Sequence, residues 1–415
     1  MSLRTLLGQI DDFFNRPGSA LPYAVFRIVF GLVLLANALL LLPDINMWFS
    51  DQGVLPSHVD PQLVGLNRLN VFAWWGSSTA FVNGAFAALI LSILCVILGF
   101  QTRLACIVVF VLVTSFYHRN VYVLHAGDVL LRITCLFLCF SDCGLRLSVD
   151  RLIKLARGLA QPGDDPQTSP LAMRLIQLQL CIVYGVAAGL KSNGAPWIDG
   201  TAVYLVYQLE SFARFPVPEF MHSLPMARFL TWSTLFLEAA FPIFVWFRET
   251  RWIALISLFL FHMGLEYVLN VQMFQYIITS LFILFILPKE FQRAAAIVQN
   301  MFQARTGVRR LAVRVVTSES GSRLVAVLRA LDILDLVQWN TEVVAHANEM
   351  GSPGVARRVL LRLPALTPFV AFASLPGLRS VTDGLLQRLG STVAFSEYEA
   401  SSVQFLDGQL ALEPS

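Results

Sequence analysis

The segment LAMRLIQLQLCIVYGVAAGLKSNGAPWIDG, residues 171–200, poses both the fold question and the functional one. Its first part, Leu171–Leu190, is an apolar run of the length needed to cross a hydrocarbon slab of about 30 Å. A single lysine, Lys191, stands at its exit, after which Gly194 and Pro196 break the helix and Trp197-Ile198-Asp199-Gly200 reads as a turn. A lysine in that place either anchors, with its stem along hydrocarbon and its ammonium among headgroups, or takes part in a polar site. The rest of the chain has to decide between the two.

Across 415 residues, 56% are hydrophobic and only 14% charged, where a soluble domain carries about a quarter charged. That composition places the chain in a bilayer. A net charge of +3 argues against a nucleic-acid partner. Leu21–Leu42 is too long for a signal-peptide core and has no small-residue cleavage site behind it, so it reads as a retained membrane helix. Further spans are predicted at Thr79–Phe100, Leu104–Tyr117, Leu124–Phe140, Leu171–Leu190, Met226–Phe247, Trp252–Asn270 and Val271–Leu287. The expectation is an all-α polytopic membrane bundle of about eight transmembrane helices over residues 1–295. An amphipathic start (Leu6, Leu7, Ile10, Phe13, Phe14) precedes it, and the aromatic stretch Thr201–Pro225 is too broken by prolines to cross and suits the interface.

Arg4, Arg16, Arg103, the Arg146–Arg157 cluster, Arg174, Arg248, Arg251, Lys289 and Arg293 fall on the N-terminal side of this eight-span count. The opposite side holds only Arg68, Arg119, Lys191, Arg214 and Arg228, so both termini are predicted to be cytoplasmic and Lys191 to face outward. From about Arg309 the composition turns globular. Leu311–Thr317 and Leu336–Trp339 read as strands, and Gly321–Ala330, Val355–Leu363 and Val381–Leu389 as helices, which makes residues 309–415 a small α/β domain.

Ionisable groups at membrane depth are functional-site hypotheses. His125, Asp128 and Arg132 open the fourth span, and Asp128 and Arg132, four apart, share a helix face and are expected to pair. Glu238 has no charged neighbour within its span and requires a partner on another helix, while His262 and Glu266 are again four apart. With Lys191 these groups lie toward one half of the bundle and are expected to line one polar cavity, in which a desolvated lysine is a candidate base. The six cysteines lie in or beside apolar runs without a CxxC, and Cys135, Cys139 and Cys143 read as packing residues, so no metal centre is expected.

Several motifs together resemble the HTTM family of bacterial membrane proteins: Phe26-Arg-Ile-Val-Phe-Gly31, Asp51-Gln-Gly-Val-Leu-Pro56, Gly99-Phe-Gln-Thr-Arg103, Asn120 through Gly127-Asp128-Val-Leu-Leu-Arg132, Ala188-Gly-Leu-Lys191 with Trp197-Ile-Asp-Gly200, Glu238, and His262 with Phe274. That family is similar in its membrane part to vitamin K-dependent gamma-glutamyl carboxylase. The carboxylase motif Gly-hydrophobic-Lys-Lys sets its first lysine on Lys191 and its second, the base, on Ser192. The C-terminal region resembles the DCC family of thioredoxin-like domains through Val313–Thr317, Ser318-Glu-Ser320-Gly-Ser-Arg323, Leu331-Asp332, Val337-Gln-Trp339 and Leu375-Pro-Gly377, with Ser320 and Arg323 in the cysteine positions. Without thiols there, dithiol–disulfide exchange is excluded and a docking or structural domain is expected.

The resemblance implies a bacterial inner-membrane protein that handles a quinone-like lipid or a peptide, with a quinone or vitamin K-type hydroquinone as the candidate cofactor. Lys191, His125 and Asp128 are then the candidate catalytic residues, and Arg132, Trp197, Glu238, His262 and Glu266 the candidate substrate-binding ones. The other reading is a non-catalytic membrane factor that binds a peptide or partner protein in maturation or export.

Overall fold

Apolar residues point outward along most of the long helices, which is what a chain built for lipid requires. The structure, a computed structural model, describes residues 2–59, 68–123, 125–306, 311–317, 319–332, 336–343, 353–363, 366 and 393–397. The chain divides into two compact units, residues 1–150 with 165–291, and 151–164 with 292–415. The first unit contains α1 (Leu3–Asn15), α2 (Leu21–Leu41), α3 (Thr79–Leu98), α4 (Thr102–Arg119), α5 (Ala126–Leu138), α6 (Leu171–Lys191), α7 (Leu224–Phe244), α8 (Arg251–Val268) and α9 (Phe274–Ser280).

By length and composition five helices can cross a membrane: α2 with its continuation to Phe49, α3, α4, α6 and α8. In each, less than half of the apolar window is buried within the protein, and Leu32, Leu91, Ile107, Ile182 and Ile253 face out. Water would not tolerate such a belt. Three of the expected spans differ. α5 has 13 residues and rises only about 20 Å. α7 has the length, at 21 residues, but Arg228, Glu238 and two prolines lower its apolarity. The last expected span divides into α9 and a 3-10 turn at Leu281–Phe285.

Glycines set the closest approaches. Gly99 ends α3 in the left-handed region (φ 68°), and a Cβ there would run into the Arg27 guanidinium and Ser148. Arg27, fully buried in α2, fills that space and donates to the carbonyls of Cys143 and Leu147 at 3.1 and 2.5 Å. Tyr23 accepts from the Met173 amide at 2.7 Å and donates to the Ser169 carbonyl, joining the starts of α2 and α6. At the opposite end the Asp51–Pro56 motif is a structural knot: Arg119 donates to Ser77 Oγ (2.7 Å), the Leu55 carbonyl (2.8 Å) and Asp51, and Asn120 donates to the Trp48 carbonyl (2.8 Å).

The second unit has β1 (Leu311–Thr317) between β2 (Val337–Val343), parallel to it, and β3 (Val393–Glu397), antiparallel. The helix Glu319–Leu331 makes the parallel crossover, and Pro353–Arg362 precedes β3. Val313, Val315, Val325, Val359 and Phe395 form its core. The predicted helix at 381–389 and the stretch Leu375-Pro-Gly377 lie outside the described residues.

Candidate functional site

The helix pair α6–α7 is drawn together where α6 has no side chain to hold it off. Gly185 faces the ring of Pro242, and Tyr184 packs on Phe241 with ring centroids 4.9 Å apart. Antiparallel packing in that register puts Glu238 near the level of Gly189, inside the end of α6 rather than beyond it. Side chains on a helix lean toward its N-terminus, so Lys191 points back into the bundle and pairs with Glu238 Oε1. The lysine does not behave as a headgroup anchor. Its ammonium also sits 5.0 Å from the centre of the Trp197 ring, and cation–π attraction strengthens where water is scarce. Glu238 is buried, and among the described residues its second oxygen, Oε2, has no hydrogen-bond partner.

His262, buried in α8, is held between two helices. Its Nε2 lies 2.6 Å from the Tyr184 hydroxyl and its Nδ1 2.5 Å from Gln275 Oε1. With the amide oxygen accepting from Nδ1–H, Nε2 is the lone-pair nitrogen and the tyrosine donates to it. The imidazole is thereby held as one neutral tautomer. Phe241, on which Tyr184 packs, stands one turn after Glu238 on α7, so the Lys191–Glu238 and Tyr184–His262 pairs lie on successive turns of the same helix pair and form one cluster. One turn along α8, Glu266 pairs with Arg214 from the Thr201–Pro225 loop, which also reaches Asn270 at 3.4 Å.

His125 and Asp128 do something different from what their spacing suggests. The Gly127 amide donates to His125 Nδ1 at 2.9 Å and the His125 amide donates to Asp128 at 3.0 Å, a reciprocal cap on the start of α5. The expected Asp128–Arg132 pair is therefore corrected. Arg132 turns instead to His118 Nε2 (2.9 Å) and lies 4.0 Å over the Tyr117 ring. His118 Nδ1 sits 2.9 Å from the Leu69 carbonyl, to which it can donate, leaving Nε2 as the acceptor for the arginine. The ring of Phe274 lies beside both His125 and His262, with centroids at 6.3 and 6.4 Å, and links the two sets.

The model of the HTTM domain matches residues 15–289, about two thirds of the chain. The chain belongs to the HTTM family. Searches of curated proteins and of solved structures find no match. With its apolar helices, this HTTM protein is an integral membrane protein. All of the clustered polar residues fall inside the HTTM domain. Two cavities among the described residues are lined elsewhere, one of about 530 Å³ around Arg174 and Trp246 and one of about 490 Å³ around Trp48, Asn120 and Gln272. The six cysteines are free, and among the described residues no group of His, Cys, Asp and Glu is arranged to hold a metal.

Tyr184, Gln275, Arg214 and His118 carry contacts that sequence reasoning did not assign. A signal existed for the first: Tyr184 precedes Lys191 by seven positions, two helical turns, and so shares its face. Arg214 lies in a loop with no periodicity to place it.

Proposed function

We propose that this HTTM protein binds the headgroup of a quinone-like lipid at the cluster shared by α6, α7, α8 and α9, with Lys191, Glu238, Tyr184 and His262 as the ligand-facing groups. One observation carries the reading: Glu238 is buried, with one oxygen held by Lys191 and the other unpaired. A buried acceptor left without a donor costs about 1–3 kcal/mol, and a ligand hydroxyl removes that cost. A hydroquinone supplies such a hydroxyl on an aromatic ring, together with two-electron, two-proton redox chemistry. The donor set fits it. Lys191 can hold an anionic oxygen, Glu238 can accept a hydroxyl proton, and the Tyr184–His262–Gln275 chain fixes the orientation of the phenol beside them. Ser192, in the place of the carboxylase base, is exposed and donates to the Gly189 carbonyl at 2.8 Å, so it supplies no base. Binding, rather than carboxylation of a protein, is the activity favoured.

Eight crossings remain our reading of the bundle, with α5, α7 and α9 completing the alternation of helix ends. The basic bias then sets both termini in the cytoplasm of a bacterial inner membrane. His125 Nε2 lies 3.7 Å from Asp128 Oδ2, so that ring stays with the α5 cap, and Phe274 is what joins this set to His262. The parallel β1–helix–β2 unit with an antiparallel third strand suits a degenerate, DCC-type thioredoxin-like domain. Ser320 and Arg323 fall early in the helix after β1, where the family carries its cysteines. A second reading rests on Phe212, Phe215 and Phe220, exposed on the Thr201–Pro225 loop: a surface for a peptide or partner protein in maturation or export.

Titration of the detergent-solubilised protein with a short-chain benzohydroquinone, kept reduced, tests the first reading. Saturable fluorescence quenching is expected, its saturable part lost in Trp197→Phe and its midpoint raised about tenfold in Glu238→Gln, the loss of one hydrogen bond to a charged group. Quenching that rises linearly and is the same in both variants defeats it in favour of the second.

A further inference from the structure

The cavity of about 530 Å³ lies at the other end of the bundle from the Lys191 cluster, and it is basic. Its volume is within the ~300–1,000 Å³ of small-molecule sites. Arg16, Arg174 and Arg251 line it, against one carboxylate, Asp12. Among the described residues none of the three arginines is in an ion pair with a carboxylate. Arg174 and Arg251 line one wall together, and neither pairs with Asp12, the one carboxylate among the lining residues.

The protein uses part of each guanidinium. Arg174 donates through Nε to the Phe13 carbonyl (3.2 Å) and through Nη1 to Gln177 (2.9 Å), and it lies 4.4 Å over the Phe13 ring. Arg251 donates through Nε and Nη2 to the carbonyls of Val245 and Trp246, at 3.3 and 3.4 Å. Among the described residues Arg174 Nη2 and Arg251 Nη1 make no hydrogen bond, so each arginine is held in place with a donor to spare. Trp246, Leu284 and Phe285 supply an apolar part of the wall.

Arg174 and Arg251 stand in the first turns of α6 and α8, two of the membrane-crossing helices, which fixes the cavity at a membrane edge. α1 beside it exposes Leu6, Leu7 and Ile10, the apolar stripe of a helix that lies in an interface. From these observations we infer that the cavity binds a phosphate-bearing anion, presented by an anionic phospholipid of the adjacent leaflet: the phosphate bridges Arg174 and Arg251, Arg16 closes over it, and the acyl chains leave along Trp246 and Phe285. The site is separate from the proposed quinone cluster and does not rest on it.

Native mass spectrometry of the protein with added dioleoyl phosphatidylglycerol or phosphatidylcholine tests this. Phosphatidylglycerol is expected to be retained preferentially, and each of Arg174→Gln, Arg251→Gln and Arg16→Gln should weaken its retention about fivefold, the effect of one basic residue at an anionic surface. The Arg16 side chain is exposed and, among the described residues, makes no hydrogen bond or ion pair, while its backbone cap to Asp12 does not depend on the side chain, so its variant leaves the fold intact and keeps the test valid where the other two are unstable. Millimolar inorganic phosphate should not displace the lipid. Equal retention of phosphatidylcholine, undiminished retention in Arg16→Gln, or displacement by free phosphate would each overturn the inference.

Discussion

Lys191→Ala is expected to destabilise the protein by about 3–5 kcal/mol, because it leaves a buried carboxylate without its counter-charge. Glu238→Gln should cost far less, about 1–2 kcal/mol. The difference follows from the geometry. Glu238 sits along α7 with its second oxygen already unpaired and cannot leave, whereas Lys191 is at a helix end and can swing its ammonium to the interface. The double variant Lys191→Ala/Glu238→Gln should regain most of the loss. Thermal unfolding in detergent of all four proteins reads the coupling directly. Additive effects, or equal costs for the two single changes, would show that the two side chains do not pair.

Arg119→Met should be comparably damaging, by about 3–5 kcal/mol, since it strips donors from buried acceptors and removes the charge facing Asp51. The Arg119 side chain is 0% exposed and ties Ser77, Leu55 and Asp51 to the end of α4. Burial pushes the Asp51 carboxyl up, but hydrogen bonds from the Ser57 hydroxyl and amide, with the Arg119 charge, outweigh it and hold the group below the ordinary range. A carboxyl depressed in the folded state contributes stability that is fully present above its unfolded value of about 3.9 and is lost as pH falls through the lower folded value. The protection factor of the Ser57 amide against hydrogen exchange should therefore hold steady through neutral pH and fall only below about pH 4. In Asp51→Asn that acid step should vanish. A protection factor that already falls between about pH 7 and 5 would contradict the assignment.

The five long apolar helices were legible in the sequence because an unbroken hydrophobic window has one reading at that length. α5 was less so. Its apolar letters run on to Phe140, but a reciprocal cap at His125 and Asp128 fixes where the helix starts, and the chain turns soon after Leu138. The same cap explains the misread pair. An acidic residue three positions after an N-cap bonds to the backbone there, and that local bond outcompetes an arginine one turn away. The need of Glu238 for a partner on another helix could be read, but not that the partner is Lys191, 47 positions earlier. Only the α6–α7 register set by Gly185 and Pro242 brings them together. Arg27 and Gly99 were visible as motif residues. That one fills the space the other leaves open needed the folded chain.

The measurement closest to the central claim is quantification of lipids and quinones extracted from the purified protein, wild type against Glu238→Gln. The account predicts a quinone-like lipid retained by the wild type and reduced about tenfold in the variant at equal folded yield, the cost of one hydrogen bond to a charged group. Quinone content equal in both proteins, or absent from a folded wild type purified from quinone-rich membranes, would contradict it.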